Sequence, residues 1–189
     1  FISIGPSIST ELRSQSTKAM IAVLIGISLY ITWVFRKISH NIPSWKYGIV
    51  TLITLLHDVS IPAGFLVLLG WWKGIEIDTN FIVALLVILG FSVNDTIVVF
   101  DRTKENLSLY NKKKPLSEII NMSINQSLAR SVNTSLTLLL ILITLLIFGP
   151  PSIFYFILVI LIGAVVGTYS SLCIASPLIY MWSTTKQKN

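Results

Sequence analysis

Long apolar runs separated by short polar clusters dominate this chain. Five are long enough to cross a bilayer, which takes about 20 residues: 18–35, 47–70, 81–100, 132–148 and 153–182. None alternates polar and apolar residues as membrane-barrel strands do. In lipid, every backbone N–H and C=O must be satisfied within its own segment or in a closed barrel. The pattern therefore predicts five transmembrane helices and an all-α membrane protein. Its membrane domain covers 18–185, after an external segment 1–17 and before a tail at 186–189. The fifth run exceeds one membrane thickness and is expected to tilt or to continue beyond it.

A weaker pattern precedes the fourth run. "LYNKKKP" at 109–115 reads as a loop, and Pro115 is suited to a helix start. Leu116, Ile120, Ile124 and Leu128 then recur every four residues, which predicts an amphipathic helix over 116–130. It either lies at the membrane interface or packs on the bundle as a linker; both readings stand.

Composition points to the same solvent. Hydrophobic residues make up 53% of the chain and charged ones 12%, against about 25% charged in soluble domains. The single cysteine, Cys173, lies in an apolar run, so no disulfide framework is available. A net charge of +6 in such a chain records orientation rather than a nucleic-acid partner. Arg36, Lys37 and Lys46 flank the first connection. Arg102, Lys104, Lys112, Lys113, Lys114 and Arg130 lie in the third, and Lys186 and Lys188 in the tail. The opposite side has Lys73 with Glu76 and Asp78, then "GPPS" at 149–152. The positive-inside rule puts the basic side in the cytoplasm, with 1–17 outside and the C-terminus inside. A further span upstream, preceded by an external domain, would explain that arrangement. A start at Phe1 without a signal-peptide pattern agrees. Trp33, Trp45, Tyr47, Trp71, Trp72 and Trp182 fall near the boundaries, as interfacial aromatics do.

Three polar groups interrupt the apolar runs. An ionisable side chain at a helix centre costs about 2.5–3.5 kcal/mol on insertion scales, and chains that keep one usually turn it inward and use it. Asp95 is 14 positions after Phe81, ~21 Å along the helix, beside Asn94. Burial disfavours a charged carboxylate and a nearby cation favours it. With Arg102 seven positions on, Asp95 is either a proton carrier or a structural acid paired near the interface. Asp58 is 11 positions after Tyr47, ~16 Å deep. It shares a face with Thr51 and Thr54. Pro62, four residues on, has no N–H to offer the Asp58 carbonyl. Asp58 is a relay in a hydrated cavity or a polar lock. Adjacent His57 either titrates or holds Asp58. In the fourth run Arg130, Asn133, Thr137 and Thr144 form a polar stripe. Arg130 keeps its proton and is a fixed counter-charge for a membrane carboxylate, or it snorkels to phosphate. In the last run Gly163, Gly167, Ser170 and Ser171 make a small-residue face for close helix approach, within this chain or toward another subunit. No metal-ligand spacing, nucleotide loop or hydrolytic triad is present, which argues against an enzyme.

These residues sit in stretches that resemble the SecF branch of the SecD/SecF protein-export family, including the SecF half of fused SecDF proteins. "GFSVNDTIVVFDRTKEN" at 90–106 matches the branch's most specific motif. "GPSIS" with "EL" in 5–12, "LLHDV" at 55–59, "INQSLARSVNTSLT" at 124–137 and "GAVVGTYSSLCIASPL" at 163–178 complete the match. The SecD paralogue carries an Asp-Ala-Asn pattern where Asn94 and Asp95 stand. The resemblance implies spans two to six of a six-helix resistance-nodulation-division domain in the bacterial cytoplasmic (inner) membrane. It implies SecD, the SecYEG channel and other Sec accessory membrane proteins as partners. Proton flow would help move preprotein through an external domain, with the proton as coupling ion and no other cofactor. It ties the acid at Asp95 and the arginine at Arg130 to proton passage; His57 and Asp58 match a motif without an assigned role. Two other functions fit the same residues: a docking subunit whose polar groups only hold helices together, and a small-molecule exporter of the same superfamily, which the motif disfavours.

Overall fold

The computed structural model describes residues 6–37, 42–74, 79–110 and 113–184, without the side chains of 6–10, 12, 13, 16, 37 and 79. The described residues form helices joined by short connections, with no strand among them. The helices are α1 (Pro6–Val34), α2 (Ser44–Lys73), α3 (Thr79–Tyr110), α4 (Leu116–Phe148), α5 (Phe154–Ser170) and α6 (Ser176–Thr184). A π-helical turn, Ser171–Ala175, joins α5 to α6, so the last three elements form one membrane-length rod. Among the described residues, five segments are long and apolar enough to cross a membrane. Lys112, Lys186, Lys188, Glu76 and Asp78, used above for orientation, lie outside the described residues.

The helix ends follow from local chemistry. Gly74 closes α2 in the left-handed region, φ 66°, and its N–H returns to the Gly70 carbonyl at 2.9 Å. Pro115 precedes α4, and Gly149 with Pro150 and Pro151 ends it. Between 116 and 148 there is neither Gly nor Pro. The amphipathic stretch and the fourth run are accordingly one helix of 33 residues, roughly 50 Å long. Its first turns pack on the bundle: Ile120 is buried, and Leu116 and Ile124 lie against the same cluster.

Along α3 the buried positions are Ala84, Leu85, Ile88, Leu89, Ser92, Asp95, Thr96, Val99, Phe100, Thr103 and Asn106. This is one helical stripe in which polar residues replace apolar ones without a change of period. Two apolar clusters result. One joins Phe35, Tyr47, Val50, Phe100, Ala175 and Ile179; the other joins Leu66, Leu85, Ile88, Leu142, Ile157 and Ala164. The polar residues of α2, α3, α4 and the α5–π junction occupy the layer between them. Two boundary residues are core rather than interface. Tyr47 stacks on Phe35 with ring centroids 5.0 Å apart. Lys46 is buried, and its Nζ donates to the Trp182 carbonyl at 2.6 Å. Trp33, Trp45, Trp71 and Trp72 are exposed.

Candidate functional site

Asp58 and Asp95 are both buried in the polar layer, and the α5–π junction serves both. Gly163 and Gly167 bring α5 against α3. A Cβ at Gly163 would lie 2.4 Å from Ile88, and one at Gly167 would lie 3.1 Å from Ser92. With the helices this close, the hydroxyls one turn further on reach the acids. Ser170 donates to Oδ2 of Asp58 at 2.7 Å, and Ser171 donates to Oδ2 of Asp95 at 2.5 Å. Ser92 of α3 also donates to Oδ2 of Asp58. Ser131 of α4 donates to Oδ1 of Asp95 at 2.6 Å. Neighbours of these serines extend the junction: the Thr168 and Ser135 hydroxyls are 2.6 Å apart, and the Tyr169 hydroxyl is 2.8 Å from Nε2 of His57. His57 in turn places Nδ1 2.9 Å from Oδ1 of Asp58. Thus Thr168, Tyr169, Ser170 and Ser171 connect to three helices through four successive side chains. The wider π-helical turn, a form that recurs at functional sites, begins where this run ends.

Asp95 has no ion-pair partner among the described residues. Its partners are two hydroxyls, each worth about 1.5–3 kcal/mol to a charged acceptor. Together they offset the roughly 2.5–3.5 kcal/mol cost of a mid-membrane carboxylate. A hydroxyl donates to an ionised carboxylate and accepts from a protonated one. This shell therefore fits either state, whereas a buried lysine or arginine would hold only the charged one. No cluster of three or more His, Cys, Asp or Glu suited to a metal occurs among the described residues.

The other residues marked in the sequence lie elsewhere. Arg130, Asn133 and Thr137 are exposed on α4. Thr137 and Thr144 bond carbonyls of their own helix. Arg130 therefore does not pair with Asp95 within this chain, although its neighbour Ser131 does. Arg102 is exposed and pairs with Glu105 at 2.8 Å. Asn94 is exposed. Thr51 and Thr54 are buried beside Asp58 but donate to the Tyr47 and Val50 carbonyls. The helix continues through Pro62. The residues that sequence reasoning passed over are Ser92, Ser131, Ser135, Thr168 and Tyr169. A signal for two of them was present: Ser123, Ser127, Ser131 and Ser135 recur every four residues and form the buried face of α4.

Comparison with known proteins places this geometry. Residues 1–185 match the profile described as "Protein export membrane protein SecD/SecF, C-terminal". The chain is 46% identical to the protein translocase subunit SecF of Thermobaculum terrenum, over 96% of this chain and 56% of that protein. It is 40% identical to the protein translocase subunit SecDF of Thermus thermophilus, over 97% of this chain and 23% of that one. The crystal structure of Thermus thermophilus SecDF, described as a translocon-associated membrane protein, superposes with a TM-score of 0.84 at 40% identity, covering 96% of this chain and 23% of that chain. A SecDF crystal structure in a super-membrane-facing form gives 0.78 at 37%, covering 98% and 23%. The chain spans little more than half the length of the SecF relatives it matches, 56% of that of Thermobaculum terrenum and 60% of that of Anaerolinea thermophila. With five apolar spans in this fold and a profile match over nearly its whole length, the chain belongs to the SecD/SecF C-terminal family of protein-export membrane proteins.

Proposed function

We propose that this chain is the membrane domain of a SecF-type accessory subunit of the Sec translocase. It uses the proton motive force to promote preprotein export across the bacterial cytoplasmic membrane. The observation that carries the reading is Asp95: buried, held by two hydroxyls from different helices, and without a counter-ion among the described residues. A buried charge of this kind is either neutralised by a proton or met by a cation from outside. Asp95 is the proton carrier and Asp58 a relay. Arg130 is on the outer face of α4, one position from Ser131, and supplies the counter-charge at a seam with a SecD-type domain. The proton is the coupling ion. SecD and the SecYEG channel are the partners, together with other Sec accessory membrane proteins. The basic connections are cytoplasmic, the N-terminal end of α1 is external, and preprotein engages an external domain.

The complete hydroxyl shell also suits a docking subunit in which Asp95 merely ties α3, α4 and the π turn together. One experiment separates the two. Asp95→Asn in the full-length protein should abolish proton-gradient-stimulated preprotein export in membrane vesicles while the complex with its partners assembles normally. Stimulation that persists sinks the carrier role; a complex that falls apart on substitution supports the docking role.

A further inference from the structure

Tyr169, His57 and Asp58 form a hydrogen-bonded line from surface to core. Tyr169 is 41% exposed, the His57 side chain 31% and Asp58 0%. The two rings meet edge to face, with centroids 5.7 Å apart. Each imidazole nitrogen faces a group that both gives and takes a proton: the Tyr169 hydroxyl at 2.8 Å and the Asp58 carboxylate at 2.9 Å. Neither nitrogen bonds a backbone carbonyl, a contact that would fix one tautomer.

Resting on the proton-coupled reading above, we propose that these three residues are a second proton-exchange site, separate from Asp95, in which His57 changes tautomer whenever one proton enters or leaves. In the empty state Asp58 is ionised. The Nδ1–H of His57 donates to Oδ1 of Asp58, and Nε2 accepts from the Tyr169 O–H. A proton arriving by way of the Tyr169 hydroxyl binds Nε2, and the proton on Nδ1 passes to Oδ1. In the loaded state the Asp58 O–H donates to Nδ1, and Nε2–H donates to the Tyr169 oxygen. The ring holds one proton in each state, and the site has gained one. Ser92 and Ser170 remain on Oδ2 throughout.

The other titratable groups nearby are Cys173, exposed and one turn beyond Tyr169, and Asp95, one turn beyond Ser92 on α3. No lysine or arginine pairs with Asp58 among the described residues. No side-chain hydrogen bond links the Asp58 and Asp95 groups there either; they meet through backbone, between Ser170 and Ser171 and along α3 from Ser92 to Asp95. Each acid thus has its own set of side-chain partners. An imidazole and a phenol open to lipid in mid-helix are costly, so this face borders water or a polar neighbour.

The test uses the full-length protein in lipid nanodiscs, ¹⁵N-labelled in its histidine rings and titrated from mildly alkaline to acidic pH. His57→Gln identifies the His57 signals. The expected result is an Nδ1–H ring that becomes an Nε2–H ring on acidification, in step with the infrared carbonyl band of a protonated carboxyl. Asp58→Asn should remove the ring change and the part of the band that belongs to Asp58, and Asp95→Asn should leave the ring change and that part of the band in place. Tyr169→Phe should keep the band and slow exchange of the ring proton with solvent. A ring that keeps Nδ1–H throughout, or that becomes imidazolium with no carboxyl band, overturns the proposal. That result needs no variant to fold. The broader proton-coupled reading fails by a different outcome, export stimulation that survives Asp95→Asn.

Discussion

At the scale of single residues, the site depends on small side chains in two ways. Ser171 supplies one of two donors to Asp95. Ser171→Ala should lower stability by about 1.5–3 kcal/mol, the worth of a hydrogen bond to a charged group. A double-mutant cycle on the purified full-length protein should show the loss largely gone in an Asp95→Asn background. Gly163 has a different task. Its missing Cβ is what lets α5 lie against Ile88. Gly163→Ala should cost roughly 1–3 kcal/mol by overpacking and lower the melting temperature. Gly90, with nothing within 4 Å of its Cβ position, is the control. Gly90→Ala should be neutral or stabilising, since Gly in a helix interior costs about 0.5–1 kcal/mol relative to Ala.

At the scale of elements, the α5–π–α6 rod organises the layer. Five residues in π geometry hold an extra residue compared with an α-helical path of the same length. Deleting Cys173 should remove that extra residue and restore α geometry, with the residues after it keeping nearly their present orientation. Ser176 and Ile179, both fully buried, would stay in the core. The expected outcome is a stable bundle whose amide exchange over 176–184 is unchanged. Loss of the whole fold would instead show that the π turn is needed for assembly. The continuity of α4 has a simpler cause. With no Gly or Pro between 116 and 148, nothing stops the helix where its composition changes from serine-rich to aliphatic.

Across the whole molecule, distant parts of the chain are tied at one end of the bundle. Lys46 at the start of α2 donates to the carbonyl of Trp182 near the end of α6, and the indoles of Trp45 and Trp182 meet edge to face 5.4 Å apart. A cation at a helix C-terminus satisfies an open carbonyl and complements the helix dipole. Lys46→Met keeps the length of the side chain and removes the donor. It should cost about 1–3 kcal/mol, the penalty of a buried unsatisfied acceptor, and should fray α6 from Trp182 onward. Arg102→Met, at an exposed pair with Glu105, should change stability by less than about 1 kcal/mol.

Hydropathy alone determined the number of spans and their helical state, because a bilayer leaves no other way to satisfy the backbone. The same physics marked Asp58 and Asp95, since a carboxylate inside an apolar run is costly wherever it ends up. Which side chains meet those acids was decided only by packing. Large polar residues such as Arg130, Asn133 and Thr137 stand out in a sequence, yet they lie on the outer face of α4. The groups that reach the acids are serines, which a sequence offers everywhere and which fit where helices touch. Ser170 and Ser171 illustrate the point: the sequence marks them as a surface for close approach, and close approach is what turns them into donors. Tyr47 and Lys46 are the reverse case, boundary residues by composition that the fold buries. Their neighbours Phe35, Phe100 and Trp182 come from other segments of the chain, and only the tertiary structure brings those segments together.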